Sequence, residues 1–305
     1  MKKILTAFQK KRISRIEQKE AKIRKPFLTD SADSEGPSRV YIEPASFLEK
    51  QHLIFKLHYF IKVMPKTSAY SGFLGDLETF ARAAGADAIG YAKLEPQYLF
   101  QGKGILYTNA VVLVKSMDKK IMASSPSKAA YEMIMETYAD LGDTANRVAD
   151  FLRDKGYGAQ ASHALGGSAV YPVLGQKAGL GYVGGSGILI SPEFGPCQRL
   201  AAVFTSIENL PFPHENPHAW IEDYCRTCDI CMRICPGQAI FRDPVIHANG
   251  SRTYIDKEKC FPYFYKYHGC SWCIRECPFT ITEYDILKKD FFREKDPFLH
   301  GRSTV

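Results

Sequence analysis

Residues 225–236, CRTCDICMRICP, and 260–278, CFPYFYKYHGCSWCIRECP, decide how this chain is read. The first contains Cys225-x2-Cys228-x2-Cys231-x3-Cys235-Pro236, the second Cys260-x9-Cys270-x2-Cys273-x3-Cys277-Pro278. Three closely spaced thiols, followed by a fourth ahead of proline, are the run that holds 4Fe–4S cubanes. Zinc asks instead for two C-x2-C pairs separated by a longer spacer, and disulfides belong to oxidising compartments. In a two-cluster arrangement each run gives its last cysteine to the other cubane. That rule assigns Cys225, Cys228, Cys231 and Cys277 to cluster one, and Cys235, Cys260, Cys270 and Cys273 to cluster two. Cys260 is the ligand farthest off in sequence. The ninth cysteine, Cys197, could replace it but is read as a spare buried thiol.

Working outward, the cluster region is too short to account for 305 residues, so a second core must precede it. The net charge of +7 is unevenly placed: residues 1–25 carry ten Lys or Arg against two Glu, which leaves the remainder close to neutral. This basic arm is read as a solvated tail, with docking to an acidic partner or a membrane surface as the alternative. No nucleic-acid module accompanies it. No run of 18 apolar residues occurs, so no transmembrane helix is expected, and MKKIL is not followed by the apolar stretch of a secretory leader. Free thiols for clusters suit a reducing interior, and a cytoplasmic setting is expected.

Residues 26–40 form a Pro/Gly/Ser linker, and 46–63 an apolar stretch read as a short helix or strand. Phe73, Leu77, Phe80 and Ala84 predict a helix over 71–84 that Gly85 ends. DAIGYAKL (87–94) and NAVVLVKSM (109–117) read as strands. Tyr131, Ile134, Tyr138, Leu141, Ala145, Val148 and Leu152 mark a long helix over 126–155, with Ser125 as cap and Pro126 at its first position. Further strands are expected at 159–164, 187–191 and 199–207. The expected class is α+β, an α/β domain with mixed strand directions allowed, then a bacterial-ferredoxin-like two-cluster domain. The expected boundaries are 1–70 for the arm and linker, 71–215 for the α/β cofactor domain, 216–290 for the cluster domain and 291–305 for a tail.

Residues 179–184, GLGYVG, satisfy G-x-G-x-x-G. A dinucleotide fingerprint needs a strand before it and a helix after it. GSGILISPEFGP follows instead, with two prolines and no room for a helix start. A tight loop between strands is the plain reading. The density of glycine, from Gly166 to Gly195, suggests in addition a backbone brought close to something large and flat.

GADAIGYAKL (85–94), FLRDKGYGAQ (151–160), QKAGLGYVGGSGILISPEFGPCQRLAAVFT (176–205), FPHENPHAWIEDYCRTCDICMRICPGQAI (212–240) and KCFPYFYKYHGCSWCIRECP (259–278) together resemble the cobalamin-dependent iron–sulfur reductases. That superfamily includes the reductive dehalogenases and epoxyqueuosine reductases, and the dehalogenase branch is the closer in idiom. The resemblance implies a nitroreductase-like cofactor domain and a bound cobalamin. It also implies electrons passing from an external ferredoxin- or flavodoxin-type donor through both clusters to cobalt, which reduces a small electrophilic molecule. It carries Tyr138 over as proton donor and Arg199 as the cation beside it. Gly179, Gly181, Gly184, Gly185 and Gly187 would face the corrin, with His163 lining the pocket. Plain core packing for Tyr138 and a surface ion pair for Arg199 are the structural alternatives. The chain departs from the dehalogenase pattern at Tyr182 and Gly185. Ala169 stands near the place where epoxyqueuosine reductases carry an acid, which argues against reduction of a tRNA base. A ferredoxin-like carrier without cobalamin and a flavin-binding reductase are further readings. His214, His218 and His268 are read as unremarkable loop histidines, and the aromatics from Phe261 to Tyr267 as a shield over cluster two.

Overall fold

The computed structural model describes residues 65–163 and 167–294. Every described residue belongs to one compact unit that begins at Pro65. The basic arm, the linker, the 46–63 stretch, Gly166 and the end of the tail lie outside the described residues.

The hydrophobic strands take the interior. β1 (Ala88–Lys93), β2 (Asn109–Ser116), β3 (Ala159–His163) and β6 (Gln198–Thr205) form one sheet in the order β1-β2-β6-β3. Every neighbouring pair is antiparallel, so the mixed directions allowed by sequence are not used. Side chains alternate across the sheet. Val111, Leu113, Ala201 and Val203 face one core, while Ala110, Val112, Val114, Ala202 and Phe204 face the other. Two-sided burial explains why β2 reads as an unbroken apolar run.

The first core is closed by α1 (Phe73–Ala84) and α3 (Lys128–Asp154), through Phe73, Leu77, Leu141, Val148 and Leu152. Gly85 ends α1 in the left-handed region at φ 116°, its N–H donating to the Ala81 and Arg82 carbonyls. The start of α3 differs from expectation: Ser127, not Ser125, is the cap, and its Oγ accepts from the Ala130 N–H at 3.1 Å. Ser125 instead donates through Oγ to the Cys270 carbonyl at 2.5 Å. A short helix α2 (Lys119–Met122) precedes this turn.

The second core is closed by α4 (Tyr171–Lys177) and a hairpin of β4 (Tyr182–Val183) with β5 (Leu189–Ile190). The glycine-rich stretch therefore runs from the end of α4 into a hairpin, and no helix follows it. The cluster region comprises α5 (Trp220–Cys228), α6 (Ile230–Ile234), β7 (Ile240–Ile246), β8 (Arg252–Ile255), α7 (Lys257–Lys266), α8 (Trp272–Arg275), α9 (Pro278–Ile281) and α10 (Tyr284–Glu294). Two apolar contacts seat it on the α/β part of the fold. Trp220, Ile221, Phe279, Tyr284 and Phe291 pack with Ile190 and Tyr182 of the hairpin. Ile274 and Cys273 pack with Met117, Met122, Ile134 and Cys197.

Candidate metal centre

The two cysteine runs repeat one local structure. Asp229 directly follows Cys228 at φ 49°, and Ser271 directly follows Cys270 at φ 64°. Each left-handed residue opens a short helix, α6 or α8, and each helix ends near a Cys-Pro pair. A left-handed non-glycine residue is uncommon. Its recurrence at matched positions turns the chain sharply enough to aim two cysteines inward from each half.

Cys225, Cys228, Cys231 and Cys277 line one cavity together with Cys273, Gly185, Ser186, Ile190, Tyr224 and Phe279. Three thiols of the first run thus meet the last thiol of the second. Among the described residues no three Cys, His, Asp or Glu side chains converge on a single-ion point; these four thiols line a cavity. Burial pushes the Cys225 thiol up to about 12 and the Cys231 thiol to about 11, with neighbouring sulfurs adding to the effect. Cys277 is raised by burial and then by the charges of Cys225, Cys231 and Cys228, after a backbone hydrogen bond that works the other way. On the far side, Cys260 is raised by burial and by Cys235 and Cys270. Cys273 is pushed by burial to about 12, with Cys231, Cys270, Cys260 and Cys235 as charged neighbours. The four sulfurs expected for cluster one thus share their cavity with Cys273, and Cys231 also neighbours Cys235. Buried thiols of this kind ionise when a metal replaces the proton, so the donor set fits two iron–sulfur clusters. Trp272, between Cys270 and Cys273, adds a buried Nε1–H with no partner among the described residues, a donor that a cluster sulfur can use.

The glycines expected at a corrin take other neighbours. A Cβ at Gly181 would meet the Ile190 carbonyl oxygen at 2.1 Å, and one at Gly187 would meet Tyr254 Cβ at 2.8 Å. One at Gly179 would lie 3.4 Å from Pro213. Gly184 and Gly185 turn toward cluster one, where their Cβ atoms would stand 3.5 Å from Cys225 Sγ and 3.8 Å from Cys231 Sγ respectively. His163 ends β3 and packs against α3 at Gly142, 3.6 Å from where a Cβ would sit.

Tyr138 and Arg199 are brought together. The Arg199 guanidinium lies 4.8 Å from the centre of the Tyr138 ring, over its face. Arg199 pairs across the sheet with Lys115, which sets two cations side by side. Its Nη1 donates to the Gln198 carbonyl, while Nε is buried with no partner among the described residues. An unpaired buried donor costs about 1–3 kcal/mol, so this one is available to a bound group.

Other expected features are placed as follows. Cys197 is fully buried, with Sγ 3.6 Å from Thr280 Oγ1. His218 shares a 2.7 Å hydrogen bond between Nδ1 and the Tyr284 hydroxyl. The aromatic shield over cluster two is incomplete: Phe261, Tyr265 and Tyr267 are exposed, and no residue of α7 is buried. Only Tyr263 and Phe264 turn inward, toward Gly237 and Gly269. Sequence reasoning missed Glu222, whose carboxylate gathers Tyr182, Arg226 and Arg252. An acid one helical turn ahead of Cys225 was visible, but its partner Arg252 comes from a hairpin thirty residues on.

Residues 224–281 match the model of the 4Fe–4S dicluster domain. Over 223 residues the chain is 30% identical to a tetrachloroethene reductive dehalogenase of Desulfitobacterium hafniense, covering 68% of this chain and 39% of that protein. Over 110 residues it is 32% identical to an epoxyqueuosine reductase of Bacillus anthracis, covering 34% of this chain and 27% of that one. It shares the fold of a solved reductive dehalogenase whose structure is described as suggesting a mechanism for B12-dependent dehalogenation, with TM-score 0.60 and 21% identity over 78% of this chain and 38% of that chain. The chain thus spans about two fifths of the dehalogenase it matches, at 39% of its length. The curated relatives are thus reductases of two kinds, reductive dehalogenases and epoxyqueuosine reductases, and the stretch that holds both cysteine runs is a 4Fe–4S dicluster domain.

Proposed function

We propose that this chain is an iron–sulfur oxidoreductase of the reductive dehalogenase-like kind. Electrons enter singly from an external low-potential donor of the ferredoxin or flavodoxin type, in a reducing cytoplasmic setting. Cys235, Cys260, Cys270 and Cys273 hold the cluster that receives them, and Cys225, Cys228, Cys231 and Cys277 hold the next. The observation that carries this reading is the meeting of Cys277 with the first-run thiols around one cavity. Residues 216–290 form the electron-carrying part and 71–215 the nitroreductase-like part that presents the acceptor.

The finer reading adds a small electrophilic substrate and a cobalamin. It is supported by the relatives and by the Tyr138–Arg199 pair. When bound, a cobalamin supplies a strongly reducing, nucleophilic cobalt. The chain's own contribution is a phenol able to donate a proton and a guanidinium with a free buried N–H for a departing anion. The glycines fit a corrin wall poorly, because Gly181 and Gly187 are already backed by Ile190 and Tyr254. That packing favours a second reading, a two-cluster electron carrier without cobalamin.

Anaerobic reconstitution followed by quantification of iron, sulfide and retained corrin tests both. Eight irons with corrin retained after desalting supports the reductase; eight irons with complete corrin wash-out supports the carrier. Four or fewer irons, or stoichiometric zinc, defeats both. In the reductase, Tyr138→Phe removes most turnover with the iron content unchanged.

A further inference from the structure

Glu222 stands on α5 one helical turn ahead of Cys225, on the same face. Its Oε2 accepts from the Tyr182 hydroxyl at 2.9 Å. Its Oε1 accepts from Arg226 Nη2 and from Arg252 Nη1, both at 3.1 Å. These partners come from three places: the glycine-rich hairpin, α5 itself and strand β8. The carboxylate side chain is 29% exposed, less than either arginine, so the cations cover it from outside. Burial opposes its ionisation, but the hydrogen bonds from Tyr182 and Arg252 outweigh this and hold its pKa below the ordinary carboxylate value. Among the neighbours that act on the Cys225 sulfur, Glu222 is one, and it disfavours further negative charge there.

We infer that Glu222 and Arg252 are an opposed pair of fixed charges that sets the reduction potential of cluster one. This rests on the reading that Cys225 is a ligand of that cluster. Reduction adds one electron and so one negative charge to the cubane. A carboxylate one turn away opposes that gain, and an arginine bound to the carboxylate offsets the opposition. Net charge and hydrogen bonding around a cluster are among the levers that fix its potential. Glu222 and Arg252 touch no reacting atom; they act through the field at the cluster. Tyr182 orients the carboxylate, and Arg252 ties the setting of cluster one to the β7–β8 hairpin.

The test is an EPR-monitored dithionite titration of the reconstituted full chain, with dithionite as the source of the electron. Three proteins are compared: wild type, Glu222→Gln and Arg252→Gln, each with its iron counted. The cluster-one potential rises in Glu222→Gln and falls in Arg252→Gln, and both shifts shrink as salt is raised because Arg252 is half exposed. A network that only holds the fold would move both variants the same way or not at all, and either result overturns the inference. Should one variant lose iron, the sign of the other decides. Loss of iron from both assigns the network to structure and overturns it too. A wild type without a cluster-one signal sinks the cluster reading itself, which is a separate failure.

Discussion

His218 is held neutral by its surroundings. Burial lowers its pKa from the ordinary value, although the Gly179 backbone and Glu193 work the other way. In the unfolded chain the imidazole takes up a proton near pH 6.5. The unfolded state therefore binds more protons as pH falls through that value, and stability drops with it. The sign is that of a base with a depressed pKa: the contribution is present above about pH 6.5 and is lost below it. Urea midpoints measured at pH 7 and pH 5.5 should show a smaller difference in His218→Gln than in wild type. At Gly187, two constraints coincide: φ is +73°, and an added Cβ would meet Tyr254 Cβ at 2.8 Å. Gly187→Ala should cost about 1–3 kcal/mol. Gly185→Ala, with its nearest contact at 3.6 Å and no positive φ, should leave the denaturation midpoint near wild type. These two positions show why only part of the site was legible. The glycine density announced close approach, but not what approached. Gly185 looks onto cysteines forty residues ahead in sequence, and Gly187 onto Tyr254 of a hairpin that local patterning does not connect to it.

Among the elements, the strands and helices of the first core were the most readable, because burial on both faces writes an apolar run and burial on one face writes a helical stripe. The start of α3 was misplaced by two residues. Ser125 and Ser127 are both adjacent to Pro126, and sequence alone cannot tell which serine faces the helix end. The structure puts Ser127 Oγ on the Ala130 N–H, so Ser127→Ala should cost about 1 kcal/mol of stability. Ser125→Ala should leave the helix end intact and loosen the Cys270 segment instead, since its Oγ donates to the Cys270 carbonyl. Thermal melts compared with the iron retained by each variant separate the two roles. The Glu222 hub was illegible for the opposite reason: it joins three elements, and no one of them carries a pattern that reports the others.

For the whole molecule, the proposed ligand sets interleave the two runs by their final cysteines. Cys277→Ala should remove cluster one, although it lies in the second run, and Cys235→Ala should remove cluster two. Iron counts with EPR of the remaining cluster check the assignment; the reverse pattern would show that each run holds its own cubane. The cysteine spacing carries this crossing as an expectation, and the cavity that Cys277 shares with the first-run thiols supports it. The way the cluster region sits on the α/β part of the fold was not disclosed, because Trp220, Phe279 and Ile274 read locally as ordinary apolar residues until the fold sets them against Ile190 and Met122.

Cys260 rides on α7, a helix none of whose residues is buried. Dioxygen and chelators can therefore approach that sulfur more freely than Cys273 or Cys277 deeper in. On exposure to air, bleaching should proceed in two stages, with the outer cubane oxidised and lost before the inner one begins to fade.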